Sequence, residues 1–209
     1  MSMNKRKNIG GVVFIAAGIL MILAALLLTA YNIWDEQRAL REAESVIEQI
    51  VPEQEQAIAQ SNSLSEKAVV IPDYILNPEM EMPQVEIDDQ NYIGILSIPA
   101  LGVELPVMNE WSYPRLKIAP CRYSGSVYQD RMIIAGHNYQ SHFGGLKHLQ
   151  PGDRISFMDM DGNLFQYSVA ELEVLEKSDV ERMEEGDWEL TLFTCTIGGE
   201  QRVTVRCVK

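Results

Sequence analysis

The sequence predicts a mostly β domain, a sandwich or a barrel, carried behind an N-terminal membrane helix and a long spacer. Three observations predict it. From Asn91 onward, short apolar or alternating runs recur with turn signals between them, the pattern of an all-β domain. From Ile9 to Trp34 the chain has no charged residue, which exceeds the roughly 20 residues needed to cross a bilayer. Between the two, Gln60 to Gln90 is rich in Ser, Pro, Glu and Asp, a composition that cannot bury enough apolar surface to pack on its own.

Taken in order, residues 1–8 form a basic tail with Lys5, Arg6 and Lys7. Residues 9–34 are the transmembrane anchor. The run is longer than the apolar region of a cleavable signal peptide, and Leu28-Thr29-Ala30 is a poor cleavage site. Basic residues before the span and Asp35-Glu36 after it place the N-terminus in the cytoplasm and the rest outside. Residues 35–62 read as a juxtamembrane helix, with Leu40, Ala43, Ile47 and Ile50 at helical spacing and Pro52 ending or kinking it. That helix could dock on the domain, pair with another copy or act as a stalk. Residues 63–90 read as an extended linker. Residues 91–209 are the β domain, with strands expected at 93–98, 103–107, 131–137, 154–158, 164–175, 189–195 and 202–208.

Charge excludes one class of partner. All 30 Asp and Glu, and all but three of the 17 Lys and Arg, lie beyond Trp34, so that part carries 14 − 30, or −16. Nucleic acid, whose phosphates need a basic surface, is not expected to bind. Three cysteines are present, Cys121, Cys195 and Cys207. An exported domain could oxidise a pair, but Cys121 and Cys207 are read first as small buried apolar residues.

The chemistry concentrates near the C-terminus. Thr191-Leu192-Phe193-Thr194-Cys195 reads as an apolar strand, and Gly198-Gly199 as a hairpin turn that needs positive φ. With those glycines at the turn, Ile197 pairs with Glu200, Thr196 with Gln201 and Cys195 with Arg202. Directly opposed residues share a face with Cβ atoms about 4.5–5.5 Å apart, so a guanidinium would sit beside a thiol and favour its reactive thiolate. Met132-Ile133-Ile134-Ala135-Gly136-His137 reads as a buried strand delivering a histidine at its end. Cys195, His137 and Arg202 then supply a nucleophile, a proton-transfer group and an oxyanion or substrate clamp. Alternation puts Ala135, His137, Thr191, Phe193, Cys195 and Arg202 on one groove floor and the oily residues Met132, Ile134, Leu192, Val203 and Val205 on the opposite face.

These residues resemble the sortase family, the cysteine transpeptidases of Gram-positive cell surfaces. The resemblance rests on Ala135-Gly136-His137, on Thr191 to Cys195 as the family's TLxTC pattern, on the following strand with Arg202, and on Gly94-Ile95-Leu96-Ser97-Ile98-Pro99 as the opening strand. It implies a closed eight-stranded β-barrel with short helices. It implies catalysis by His137, Cys195 and Arg202 without a cofactor, and contact with a sorting-signal peptide through Ala135, Thr191 and Phe193. The expected substrates are exported proteins bearing a C-terminal LPXTG-like signal. The acceptor would be an amine of a cell-wall precursor or of a pilin. A sortase-like hydrolase or peptide-binding module is the alternative. The short Cys195-to-Arg202 spacing and the short stretch from Glu176 to Asp187 suggest a housekeeping-like or class D-like member.

Other residues have milder readings. Arg206 shares the face of Arg202 and is expected to be a surface ion-pair partner. His142 and His148 do not match short paired-ligand spacings, so no metal is expected. Met183 to Asp187 is read as a solvated acidic loop. Residues 63–90 are read first as a plain spacer; the second reading is a lid over the site, for which Pro72-Asp73-Tyr74 is the one place.

Overall fold

The computed structural model describes residues 5–65 and 71–209; residues 1–4 of the basic tail and 66–70 of the linker lie outside the described residues. The chain divides into two units, Met1–Arg38 and Ala39–Lys209. The apolar side chains of the first unit, Val12 to Trp34, are exposed. Among the described residues, one helix is long and apolar enough to cross a membrane.

That helix, α1, covers Lys5–Ser65. Of the two effects expected of Pro52, ending the helix does not occur, since Pro52 lies inside α1. Proline removes one backbone donor, and burial on both sides of Pro52 offsets the loss. In the second unit α1 lies on the β domain through Ala39, Ala43, Val46, Ile50 and Gln54, all buried. Val46 and Ile50 pack with Ile95, Met108 and Cys121. Gln54 Nε2 donates to the Asp159 carbonyl at 2.8 Å. The docked stripe is therefore turned from the expected one: Leu40 is 40% exposed, while Ala39 and Val46 face the domain.

The spacer is also partly docked. A single turn, α2 (Asp73–Leu76), carries Tyr74, whose ring stacks on Tyr128 with centroids 4.7 Å apart. It also meets Phe165 at 5.3 Å. Tyr74 is thus held among aromatic rings and is not among the residues that line the groove described below. Met80 packs on the same core and Met82 lies within it, so this end of the spacer is a strap.

The β domain has nine strands: β1 (Val85–Ile87), β2 (Gln90–Ile98), β3 (Val103–Met108), β4 (Cys121–Ser126), β5 (Arg131–Gly136), β6 (Arg154–Asp159), β7 (Leu164–Glu176), β8 (Leu190–Cys195) and β9 (Gln201–Val208). Their order is β1-β2-β3-β4-β5-β8-β9-β7-β6, and a β2–β6 pairing closes the ring. Eight strands, β2 to β9, form the barrel; β1 is a short hairpin arm on the start of β2. The pairs β3–β4 and β5–β8 are parallel and the rest antiparallel. Residues facing inward, among them Leu96, Leu105, Ile134, Phe157, Leu192 and Val205, build the central core. Closure removes the exposed edges that an open sheet would present.

Two strands escape the sequence reading, β1 and β4. β4 is Cys-Arg-Tyr-Ser-Gly-Ser, with no oily alternation and a register shift between Arg122 and Ser124. The short helix α3 (Tyr113–Leu116) starts with Ser112, whose hydroxyl accepts from the Arg115 N–H; a helical turn was expected at 114–118.

The docked stripe can be tested by unfolding the full chain in detergent. Ile50→Ala should lose about 2–5 kcal/mol, the usual cost of truncating a buried isoleucine. Leu40→Ala should stay within about 0.5 kcal/mol. The expected stripe of the sequence would give a large loss at both positions.

Candidate active site

The β8–β9 hairpin pairs Leu192 with Val205, Thr194 with Val203, and Cys195 with Arg202. The register is the one the sequence predicts, but the turn is wider. The chain reverses at Ile197-Gly198, closed by a 2.8 Å hydrogen bond from the Gly199 N–H to the Thr196 carbonyl. Gly198 and Gly199 have φ of 94° and 77°, which explains the glycines. Ile197 is exposed and does not pair with Glu200. Arg202 bends back over this loop, its Nη1 donating to the carbonyls of Gly199 at 3.0 Å and Gln201 at 3.1 Å. Cys195 and Arg202 are both half-buried.

β5 runs parallel beside β8, with Ile134 next to Leu192, Ala135 next to Phe193 and Gly136 next to Thr194. His137 is the residue after that last pair on β5, and Cys195 the residue after it on β8. Gly136 has a steric reason to be glycine. A Cβ there would lie 2.4 Å from the ring of Phe143, which fills the core beneath the strand end. His137 is half-buried. Its Nδ1 lies 3.0 Å from Asn138 Oδ1, and its ring stacks on Tyr139 at 4.0 Å and 4°.

Cys195 and Arg202 open into a groove of about 200 Å³ whose lining also includes Ala135, Phe193, Tyr123 and Trp111. Phe193 meets the edge of Tyr123 at 5.4 Å, and Tyr123 meets Trp111 at 5.6 Å, so one wall is a row of aromatic rings. Tyr123 lies on β4, a strand without an apolar alternation, and Trp111 lies in the connection between β3 and α3, so neither carries a periodic signal in the sequence. His137 and Thr191 are not in the groove lining. Thr191 is 2% exposed, and its Oγ1 accepts from Arg206 Nη1 at 3.1 Å.

Arg206 is not a surface residue. It is 2% exposed and bridges three elements. Its Nε pairs with Glu173 of β7 at 2.9 Å. Its Nη1 donates to the Met183 carbonyl at 2.8 Å, and its Nη2 to the Arg182 carbonyl. The helical turn α4 (Val180–Glu184), which bounds the groove through Val180 and Met183, is thereby pinned to β9. Part of the expected solvated acidic loop is this anchored turn.

Cys121 and Cys207 are free and buried. Burial pushes both thiols up to about 12, which keeps them protonated and unreactive. They lie in different apolar clusters, Cys121 under α1 and Cys207 inside the barrel. Among the described residues no group of three or more His, Cys, Asp or Glu could hold a metal ion. His142 is fully buried with no hydrogen-bond partner at either nitrogen among the described residues. Burial first, and the neighbouring His137 second, lower its pKa to about 4.

A half-buried cysteine thus faces an arginine across a barrel hairpin, and a histidine follows the end of the adjoining parallel strand. The model of the sortase domain matches residues 96–209, and the chain belongs to the sortase family. It is 28% identical to Sortase A of Bacillus anthracis over 121 residues, 55% of this chain and 57% of that protein. The chain thus spans somewhat more than half the length of that relative. Among solved structures, Sortase C of Streptococcus pneumoniae superposes with a TM-score of 0.55 at 20% identity, covering 78% of this chain and 95% of that one. The Sortase D5 transpeptidase of Clostridium perfringens gives 0.50 at 22%, covering 71% and 95%. Sortase A of Corynebacterium diphtheriae gives 0.51 at 20%, covering 88% and 94%. These likenesses show the fold.

The two arginines should separate in stability measurements. Arg206→Met strips a buried ion pair of its cation and should cost about 3–5 kcal/mol in chemical denaturation. Arg202→Met should cost under about 1 kcal/mol, because its partners are two carbonyls at a solvated loop. His142 gives a pH signature. The unfolded imidazole, near 6.5, takes up a proton that the folded one refuses until about pH 4. Stability should therefore fall as pH drops from 6.5 to 4, by on the order of 3 kcal/mol from this group. His142→Phe should flatten that slope of unfolding free energy against pH.

Proposed function

We propose that this sortase is a membrane-anchored cysteine transpeptidase acting on the C-terminal sorting signals of exported proteins. The observation that carries the reading is the direct pairing of Cys195 with Arg202. The Cys195 thiolate attacks a backbone carbonyl of an LPXTG-like signal. The carbon–nitrogen bond breaks, and His137 gives its proton to the leaving amine. Arg202, whose Nη1 is steadied by the loop carbonyls, turns its remaining donors to the oxyanion or the peptide backbone. The thioester is then attacked by an amine of a cell-wall precursor or a pilin. His137 takes the amine's proton, and sulfur leaves as thiolate.

Ala135 and Phe193 contact the peptide from the groove floor, and Trp111 and Tyr123 from its wall. Thr191 acts from below by holding Arg206. Residues 9–34 anchor the protein as a single span, with residues 1–8 in the cytoplasm and the barrel of residues 91–209 outside. Residues 35–62 and 63–90 join the two.

The test is a peptide-library assay with an added amine. The wild-type chain should give a ligated product. Cys195→Ala should lose at least about a thousandfold in rate, the scale on which a missing covalent nucleophile acts. Cys121→Ala should retain activity. Cleavage without ligation at saturating amine would make the protein a hydrolase, and binding without a thioester at Cys195 would make it a peptide receptor.

A further inference from the structure

The two residues that follow His137 both engage its ring. Asn138 presents Oδ1 at 3.0 Å from Nδ1. Tyr139 lies face to face with the imidazole, centroids 4.0 Å apart and planes within 4°. Tyr139 also meets His142 in an edge contact, centroids 5.5 Å apart and planes at 62°. His142 is fully buried, so the tyrosine ring rests against a fixed neighbour. The backbone holds the same segment: the Tyr139 carbonyl accepts from the N–H groups of His142 at 3.0 Å and Gly144 at 2.8 Å. The Phe143 N–H donates to the His137 carbonyl at 3.1 Å. The three rings therefore ride on one tight loop that leaves β5.

We propose that Asn138 and Tyr139 are positioning residues for His137, Asn138 selecting its tautomer through Nδ1 and Tyr139 fixing the plane of its ring. This rests on the reading of His137 as the proton-transfer group. An amide oxygen only accepts, so the contact places the hydrogen of the neutral ring on Nδ1. Nε2 is then the atom that exchanges the proton, and the second nitrogen of a histidine is commonly fixed in this way. The stack removes the rotation about the ring bond that a histidine at a strand end would otherwise keep. Loss of orientation at a reacting group costs rate without costing stability. His142 serves here as a buried packing neighbour of Tyr139 rather than a second base, since neither of its nitrogens meets a polar partner among the described residues.

The test uses the full chain in detergent with ¹⁵N-labelled histidine. The three histidines of the chain make the ring nitrogens assignable. In the wild type at a pH where the ring is neutral, His137 should show a protonated Nδ1 and a bare Nε2. Asn138→Ala should move the hydrogen to Nε2, and Asn138→Asp, which keeps the acceptor, should leave it on Nδ1. Tyr139→Ala should abolish the ring-to-ring contact with His137 in nuclear Overhauser spectra, while Tyr139→Phe keeps it. Transfer rates should fall about tenfold to a hundredfold in the two alanine variants and recover in the conservative ones. A wild-type ring protonated on Nε2, or alanine variants with unchanged tautomer, ring contact and rate, would overturn the proposal. The tautomer and ring contact are read without turnover, so a chain that transfers no peptide sinks the transpeptidase reading while the positioning proposal is judged on the spectra.

Discussion

Everything at the candidate site depends on the pleat of a closed ring. Successive side chains on a strand point to opposite sides, and closure leaves no freedom to slip by one residue without turning the core outward. Leu190, Leu192 and Val205 must face inward to fill the barrel. Once they do, Phe193, Cys195 and Arg202 have to face out. The same holds on β5, where Met132 and Ile134 inside force Ile133 and Ala135 outside. The reactive face is thus set by the burial of its neighbours, and the hydrophobic effect, not any attraction between the site residues, places them.

The outer face is then made usable by a second, smaller apolar cluster. Ile133, Leu175 and Met183 are buried there, with Tyr123 and Phe193 packed against them. Met183 belongs to α4, so the groove wall depends on how that turn is held. Arg206 holds it, through the carbonyls of Arg182 and Met183 and through Glu173. A buried guanidinium is expensive to desolvate, and its value lies in meeting several acceptors at fixed geometry. Two arginines on one face of β9 therefore do different work. The one near the turn reaches the groove, and the one four residues on is consumed in building it.

Local pairing was legible in the sequence, and distant pairing was not. The Gly-Gly turn sets the β8–β9 register, so the opposition of Cys195 and Arg202 could be read from adjacent residues. So could the inward set on β5, from its apolar run. Thr191 beside Arg206 follows from the same register, and with it a hint that Arg206 is engaged. The partner that buries Arg206 is Glu173, and nothing local says that β7 lies along β9. β4 was invisible for a related reason. Its residues are mostly polar, only Tyr123 among them lines the groove, and its bulge breaks the period. The helix stripe was half right: Ala43 and Ile50 are buried as expected, but the small Ala39 and Val46 stand in the contact where Leu40 and Ile47 were read.

The parallel contact between β5 and β8 adds a coupling between folding and chemistry. Parallel neighbours need a long crossover, and here it contains β6, β7 and α4. The cysteine–arginine pair can form inside one hairpin, with little loop entropy to overcome. The histidine joins only when β5 has paired with β8, a contact between segments far apart in the chain, of the kind that forms slowly. A chain with its hairpin formed and its ring open would hold Cys195 opposite Arg202 without the strand end that carries His137. The three candidate residues therefore come to neighbouring strands only in the closed barrel, where the long strand β7 pairs with β9 on one side and β6 on the other and the β2–β6 pairing closes the ring.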